Sequence, residues 1–128
     1  MSNINMLTAF NDHFMEFLND VQSVFPEDPD ILTAKNAVIT IRKANPKLLS
    51  KIWTTYVAVP YRGQIEAGDI SFFLEKDYSA DVAKNDNAEK IMESIDRLRG
   101  PIKQMSSENQ EKTMKYIQNL TKLSLMIQ

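Results

Sequence analysis

The helical spacing of its apolar residues limits the folds open to this chain more than any other feature of its sequence. From Met6 to Phe25, bulky apolar side chains recur every three or four positions, and acidic or amide side chains occupy positions between them. An α-helix turns once every 3.6 residues, so this spacing gathers the apolar side chains on one face. The pattern predicts an amphipathic first helix. Its apolar positions are Leu7, Phe10, Phe14, Phe17, Leu18, Val21, Val24 and Phe25.

Prolines preceded by capping side chains mark where the next helices begin. Asp28 offers an N-cap before Pro29, and the apolar stripe then continues to about Ala44. The same arrangement recurs at Asn45 and Pro46, where the asparagine can accept hydrogen bonds from free backbone N–H groups. These signals predict a second helix over about 29–44 and a third that ends near residue 57.

The third helix carries the single tryptophan of the chain. Trp53 stands at helical spacing from Leu49 and Tyr56, which predicts a core residue, because large aromatic side chains are mostly buried. The alternative is an exposed anchor for a partner.

Two more helices are predicted in the C-terminal third. One covers about residues 87–99 and is expected to end at Gly100 and Pro101, since glycine and proline commonly close helices. Ser107, with Gln110 three residues later, has the pattern of a capping box and predicts the start of the last helix.

The segment from residue 60 to residue 84 follows no single period, and we interpret it as an irregular insert of short helical turns joined by loops. Asp69 is expected to cap a turn that carries two phenylalanines into the core. Irregular, aromatic-rich segments often contact a partner, so one hypothesis is that the insert binds another molecule. The alternative is that it forms a lid over one end of the bundle. The candidate partner-binding residues in the insert are Tyr61, Arg62, Phe72, Phe73 and Tyr78.

Together these patterns predict an all-α fold, in which residues 1–128 form a single helical bundle of about five main helices plus the insert. Only three glycines and five prolines occur, which is sparse for an all-β chain with frequent turns. Without cysteine there is no disulfide framework and no thiolate metal site, as is usual for a reducing compartment. No export signal and no apolar run long enough to span a membrane are evident, so an intracellular protein is expected.

Charge alternates in blocks along the chain. Residues 1–30 carry six acidic side chains and no lysine or arginine, whereas residues 31–65 carry six basic side chains and no acidic one. One hypothesis is a basic face on helices two and three that binds nucleic acid or another anion. The other is that acidic and basic helices pack side by side and neutralise each other, which suits the acidic pI of about 5.4. The candidate basic face comprises Lys35, Arg42, Lys43, Lys47 and Lys51.

Catalytic and metal-binding patterns are weak in this sequence. His13, the single histidine, has Glu16 one turn later, but a metal site needs three or four ligands and no second pair of this kind occurs. The usual nucleophilic arrangements need a histidine or cysteine beside the nucleophile, and no phosphate-binding glycine-rich loop is present. We therefore expect a non-enzymatic protein with no cofactor and no small-molecule substrate.

Several short runs give the chain a family resemblance over nearly its whole length. It resembles a family of short helical proteins encoded by nucleocytoplasmic large DNA viruses of algae and amoebae. The resemblance implies a viral protein that acts in the host cell or in the virion, and it implies no activity or site residues. The runs that carry it are Phe10-Asn11, Glu16-Phe17-Leu18-Asn19-Asp20, Phe25-Pro26-Glu27-Asp28, Pro60-Tyr61, Phe72-Phe73-Leu74, Asp77-Tyr78, Tyr116-Ile117, Leu120 and Leu123-Ser124.

Three functional hypotheses follow. The first is an interaction or assembly module that binds another protein, either viral or a second copy of the chain. The second is a nucleic-acid-binding accessory protein that uses the basic face, and the third is an enzyme or metal protein built around His13. The position of the basic side chains separates the first two hypotheses, because acidic side chains of the first helix lying between them would weaken nucleic-acid binding.

Overall fold

A computed structural model of the chain describes residues 3–75 and 86–127, with side chains described for residues 5–74 and 91–127. The described residues form helices and turns and contain no strand, which confirms the all-α prediction. In chain order the helices are α1 (Asn3–Val24), α2 (Pro29–Ala44), α3 (Leu48–Trp53), α4 (Arg62–Glu66), α5 (Ser71–Glu75), α6 (Asp86–Lys103) and α7 (Ser107–Met126), and α3 continues into a π-helical segment, Thr54–Ala58.

The first three helices begin and end close to the predicted positions. The Oδ1 atom of Asp28 accepts hydrogen bonds from the backbone N–H groups of Asp30 at 2.8 Å and Ile31 at 3.3 Å, which caps the first turn of α2. The Oδ1 atom of Asn45 accepts one from the backbone N–H of Lys47 at 3.2 Å. The predicted cap at Asp28 is thereby confirmed. Asn45 instead holds the turn before α3, because the N-cap residue of α3 is Lys47 and no side chain caps this helix.

The long helices pack as antiparallel neighbours. The main packing pairs are α1 with α7 and α2 with α6, and α1 also contacts α2. Asp12, in the first half of α1, pairs with Arg42 near the end of α2, which shows that α1 and α2 run in opposite directions. The buried apolar side chains form one core cluster, to which every helix from α1 to α7 contributes.

Aromatic side chains of α1 and α3 occupy the centre of this core. The rings of Phe14 and Trp53 meet edge to face at 90°, with centroids 5.7 Å apart, and Phe10 meets Trp53 at 6.4 Å. Trp53 is only 1% exposed, so the core interpretation is confirmed and the exposed-anchor alternative is wrong. The indole Nε1–H donates a hydrogen bond to Oγ1 of Thr121, 3.1 Å away on α7, which satisfies the only polar group of this ring.

The prediction that Gly100 and Pro101 end the fifth helix is wrong, because α6 continues through both residues to Lys103. A proline ring clashes with the Cβ of the residue before it in a helix, and glycine has no Cβ, so Gly100 permits the helix to pass into Pro101. Pro101 and Ile102 are both buried, and packing of the extra turn against the core stabilises the continuation.

The start of the last helix also differs from the prediction. Ser106, rather than Ser107, is the N-cap of α7, and its side chain accepts a hydrogen bond from the backbone N–H of Asn109 at 3.2 Å. Gln110 does not complete a capping box. Its Nε2–H₂ group donates instead to the backbone carbonyl oxygen of Ile102 at 3.2 Å, so it satisfies the C-terminal end of α6.

The described part of the insert, residues 60–75, consists of short helical turns as predicted. The backbone N–H of Ser71 donates to Oδ1 of Asp69 at 3.0 Å, which confirms the expected cap of α5. The turn before it uses Gly68 at a φ of +74°, a conformation that glycine adopts without steric cost. Residues 76–84, the remainder of the predicted insert, lie outside the described residues.

We predict that Thr121→Val destabilises the fold by about 1–3 kcal/mol, because the substitution leaves the buried indole N–H of Trp53 without an acceptor. Thr113→Val is a matched control. Thr113 is similarly buried, and its hydroxyl also donates to the carbonyl four residues earlier. Unlike Thr121, it does not accept a hydrogen bond from the indole of Trp53. Urea unfolding of both variants measures the difference, and equal losses would contradict the prediction.

Candidate interaction groove

A groove runs along the surface between α1 and α2. On α1 its lining includes Leu7, Asn11 and Met15, which are spaced by four residues and therefore share one face of the helix. Ile39 of α2 and Pro46 form much of the opposite side. The groove has a volume of about 430 Å³, which is large enough to receive several side chains of a partner. We call this feature the α1–α2 groove.

Asn11 is the buried polar residue of the α1–α2 groove. Its Nδ2–H₂ group donates a hydrogen bond to the backbone carbonyl oxygen of Pro46 at 3.0 Å, and this bond sets the orientation of the amide. The side chain is 2% exposed, and its Oδ1 atom accepts no hydrogen bond from any described residue. A buried acceptor without a partner costs about 1–3 kcal/mol, so this oxygen is an unsatisfied group beside a surface groove.

Two basic side chains of α2 border the α1–α2 groove, and α1 neutralises one of them in part. Arg42 pairs with Oδ1 of Asp12 at 2.6 Å, and Lys43 is exposed. Earlier on α2, Lys35 donates to Oε1 of Gln22 of α1 at 2.8 Å. The side of α2 that faces α1 is therefore bonded to α1 at both Lys35 and Arg42.

The remaining basic candidates lie where α2 meets α3. Lys43, Lys47 and Lys51 are all exposed, and none forms an ion pair with any residue in the described ranges. Lys47 and Lys51 are one helical turn apart. Two of the five predicted basic side chains, Lys35 and Arg42, are thus bonded to α1, and the partner of Arg42 is acidic. The other three are not bonded to α1. We call Lys43, Lys47 and Lys51 the lysine corner.

The structure confirms that the turn after Asp69 carries Phe72 and Phe73 into the core, and it corrects their place among the candidate partner-binding residues. Phe72 is 8% exposed and Phe73 is 1% exposed, so both rings belong to the core and neither is available to a partner in this structure. Tyr61 is half-buried and stacks on Phe72, with ring centroids 5.4 Å apart. Arg62 is exposed and pairs with Glu66 at 3.1 Å. Tyr78, the fifth candidate, lies outside the described residues.

His13 lies at the seam between α1 and α7. Its Nδ1 atom is 3.4 Å from Oε2 of Glu16, and its ring lies 4.9 Å from the ring of Tyr116, centroid to centroid. The Nε2 atom is buried and has no hydrogen-bond partner among the described residues. Among those same residues, no group of three potential metal-ligating side chains comes together.

Tyr116 connects the same seam to the acidic side of α1. Its hydroxyl donates a hydrogen bond to Oδ2 of Asp20 at 2.6 Å. Burial is the largest of the effects that raise the pKa of Tyr116 to about 12, and the hydrogen bond and negative charge of Asp20 and the charge of Glu16 act in the same direction. Because general acid–base catalysis at neutral pH favours a pKa near 7, this shift disfavours a catalytic role for the phenol.

The sequence patterns did not indicate the α1–α2 groove. Its apolar lining residues have the spacing of ordinary members of amphipathic helices, and only their partial exposure distinguishes them. One signal was present in the sequence: Asn11 stands four residues from both Leu7 and Met15, so a polar side chain interrupts an apolar row on α1.

Comparison of the chain with protein-family models found no match, and searches among curated proteins and solved structures found none either. No helix in the described part of the chain is both long and apolar enough to cross a membrane.

We predict that the fold loses about 1–2 kcal/mol of stability between pH 10 and about pH 12. Folding raises the pKa of Tyr116, so the contribution of this group is fully present below pH 10 and is lost as the pH rises through about 12. Partial solvent exposure reduces the effect below its full value. Urea unfolding across this pH range measures it.

Tyr116→Phe removes the titrating phenol and is expected to flatten this part of the pH dependence. Tyr56→Phe, at another partly buried tyrosine, is the matched control and should retain the loss. An equally steep decline in the Tyr116→Phe variant would show that another group is responsible.

Proposed function

We propose that this protein is a non-enzymatic protein–protein interaction or assembly module, and that it contacts its partner through the α1–α2 groove. The observation that carries the proposal is the combination of partly exposed apolar side chains and a basic border in one groove. Sites that bind another protein commonly join an apolar centre to a polar rim in this way.

The rigidity of the groove walls supports the proposal. α1 and α2 are long helices that each pack an apolar face into the core, so binding does not require these walls to become ordered. A preformed surface avoids the entropic cost of ordering and leaves more of the contact energy available for affinity. A partner that buries Leu7, Met15 and Ile39 would remove their exposed apolar area from water.

The resemblance to proteins of large DNA viruses suggests the setting of this interaction. On that basis we place the module in a virion or in an intracellular complex of an infected cell, where the partner is a viral protein or a second copy of the chain. This part of the proposal depends on the sequence resemblance alone.

We predict that a photo-crosslinking amino acid at Ile39 captures one discrete partner in the cells that make the protein, because Ile39 lines the groove. Asn119, exposed on α7 and outside the groove, is the matched control position and should give no such product. Mass spectrometry of the crosslinked product identifies the partner. Equal crosslinking from both positions, or none from Ile39, would contradict the proposed function.

Nucleic-acid binding is the second candidate, and the lysine corner is the observation that favours it. Lys43, Lys47 and Lys51 are exposed and unpaired within the described residues, so they could neutralise three phosphates. The net charge of −2 and the pairing of Arg42 with Asp12 weigh against it, because non-specific affinity depends on the total number of phosphate contacts.

This candidate predicts duplex DNA binding that weakens with salt, with a slope of about −3 in a plot of log affinity against log salt concentration. Replacing Lys43, Lys47 and Lys51 with glutamine should abolish the slope. Replacing Lys112, Lys115 and Lys122 on α7, the same change in charge at another exposed site, should leave it intact. A flat salt response, or no binding at low salt, would eliminate the second candidate.

A further inference from the structure

We infer that the α1–α2 groove receives an acidic amphipathic helix of a partner protein. The inference rests on the proposed function and names the class of segment that the groove would bind. Two properties of the groove support it: the helical spacing of its walls and the sign of its charges.

The geometry of the walls favours a helix over an extended peptide. Leu7, Asn11 and Met15 form one ridge of α1, and Ile39 and Lys43 stand four residues apart on α2. A third helix packs into the channel between two antiparallel helices by placing its own side chains between such ridges. A partner strand would need a sheet edge to extend, and the described residues contain no strand.

The length of the groove sets the number of contacts. Leu7 and Met15 are eight residues apart on α1, a distance of about 12 Å along the helix axis. This span accommodates about two turns of a partner helix, with apolar anchors near Leu7 and Met15 and one position between them. The expected pattern in the partner is therefore two apolar residues, each one turn from a central residue.

The charges select an acidic partner. None of the eight described residues that line the groove is acidic, whereas Arg42 and Lys43 stand on its border. The guanidinium of Arg42 has five N–H donors, and the bond to Asp12 uses one of them, so it can bind a second carboxylate. Lys47 directly follows the lining residue Pro46, and Lys51 is one helical turn further along the chain. Carboxylates along the edges of the partner helix would match this border.

Selection from random peptides tests the inference. A phage-displayed library of random peptides of about sixteen residues, long enough for roughly four helical turns, is selected on the immobilised full chain. We expect enriched peptides to share apolar residues at helical spacing, with aspartate or glutamate on the flanking positions. Their affinities are then measured in solution by fluorescence anisotropy.

Two variants and a control locate the binding site. Lys43→Glu with Lys47→Glu reverses two exposed charges that have no ion pair in the described structure, and we expect it to weaken the enriched peptides by at least about tenfold. Lys115→Glu with Lys122→Glu makes the same charge change on α7 and should leave affinity unchanged. Ile39→Glu tests the apolar wall and should also weaken binding.

Each other outcome overturns the inference. Enrichment of basic or uncharged peptides, enrichment of none, or binding unaffected by the groove variants would exclude an acidic helix as the occupant. Self-association of the chain that Ile39→Glu abolishes, measured by sedimentation, would identify a second copy as the occupant. In all these cases a specific crosslink from Ile39 would preserve the proposed interaction function, whereas loss of that crosslink would remove the function itself.

Discussion

The packing of α1 around Trp53 sets the positions of the other helices. Phe10 and Phe14 meet the indole edge to face, and the indole N–H reaches across to Thr121 of α7. The contact therefore joins three helices that are distant in sequence. Burial of such large rings supplies much of the apolar driving force available to a chain of this size, and the hydrogen bond requires that α7 lie in one register against α3.

The position of α1 in turn determines how the charges of the molecule are distributed. Once its phenylalanines face the core, its acidic residues point to the neighbours on either side, where Asp12 meets Arg42 of α2 and Asp20 meets Tyr116 of α7. Such exposed pairs contribute little energy individually, but they consume part of the positive charge of α2. The basic block of the sequence is consequently divided, and the lysine corner is what remains unpaired in the described structure.

Much of the fold was predictable because local signals and tertiary packing agree. The cap at Asp28 and the turn at Asn45 depend on atoms only two or three residues apart, so the sequence contains the whole of each interaction. Predictions failed where a distant contact outweighed a local preference. α6 passes through Gly100 and Pro101 because Ile102 is buried in the core, and Gln110 bonds to the end of α6 rather than to its own helix. The candidate site was less predictable still. Phe72 and Phe73 are excluded from it because they are buried, whereas Met15 and Ile39 belong to it because packing leaves them partly exposed.

The helical class of this chain, the ends of most of its helices and the residues of their apolar faces all follow from the sequence alone, because helical periodicity and capping act over a few residues. Which apolar residues remain partly exposed, and which basic residues find acidic partners, became known only from the tertiary structure. Both properties depend on how α1 and α2 lie against each other. The α1–α2 groove exists because Leu7 and Met15 of α1 and Ile39 of α2 lie where these two helices meet, and no third helix of the described structure covers them.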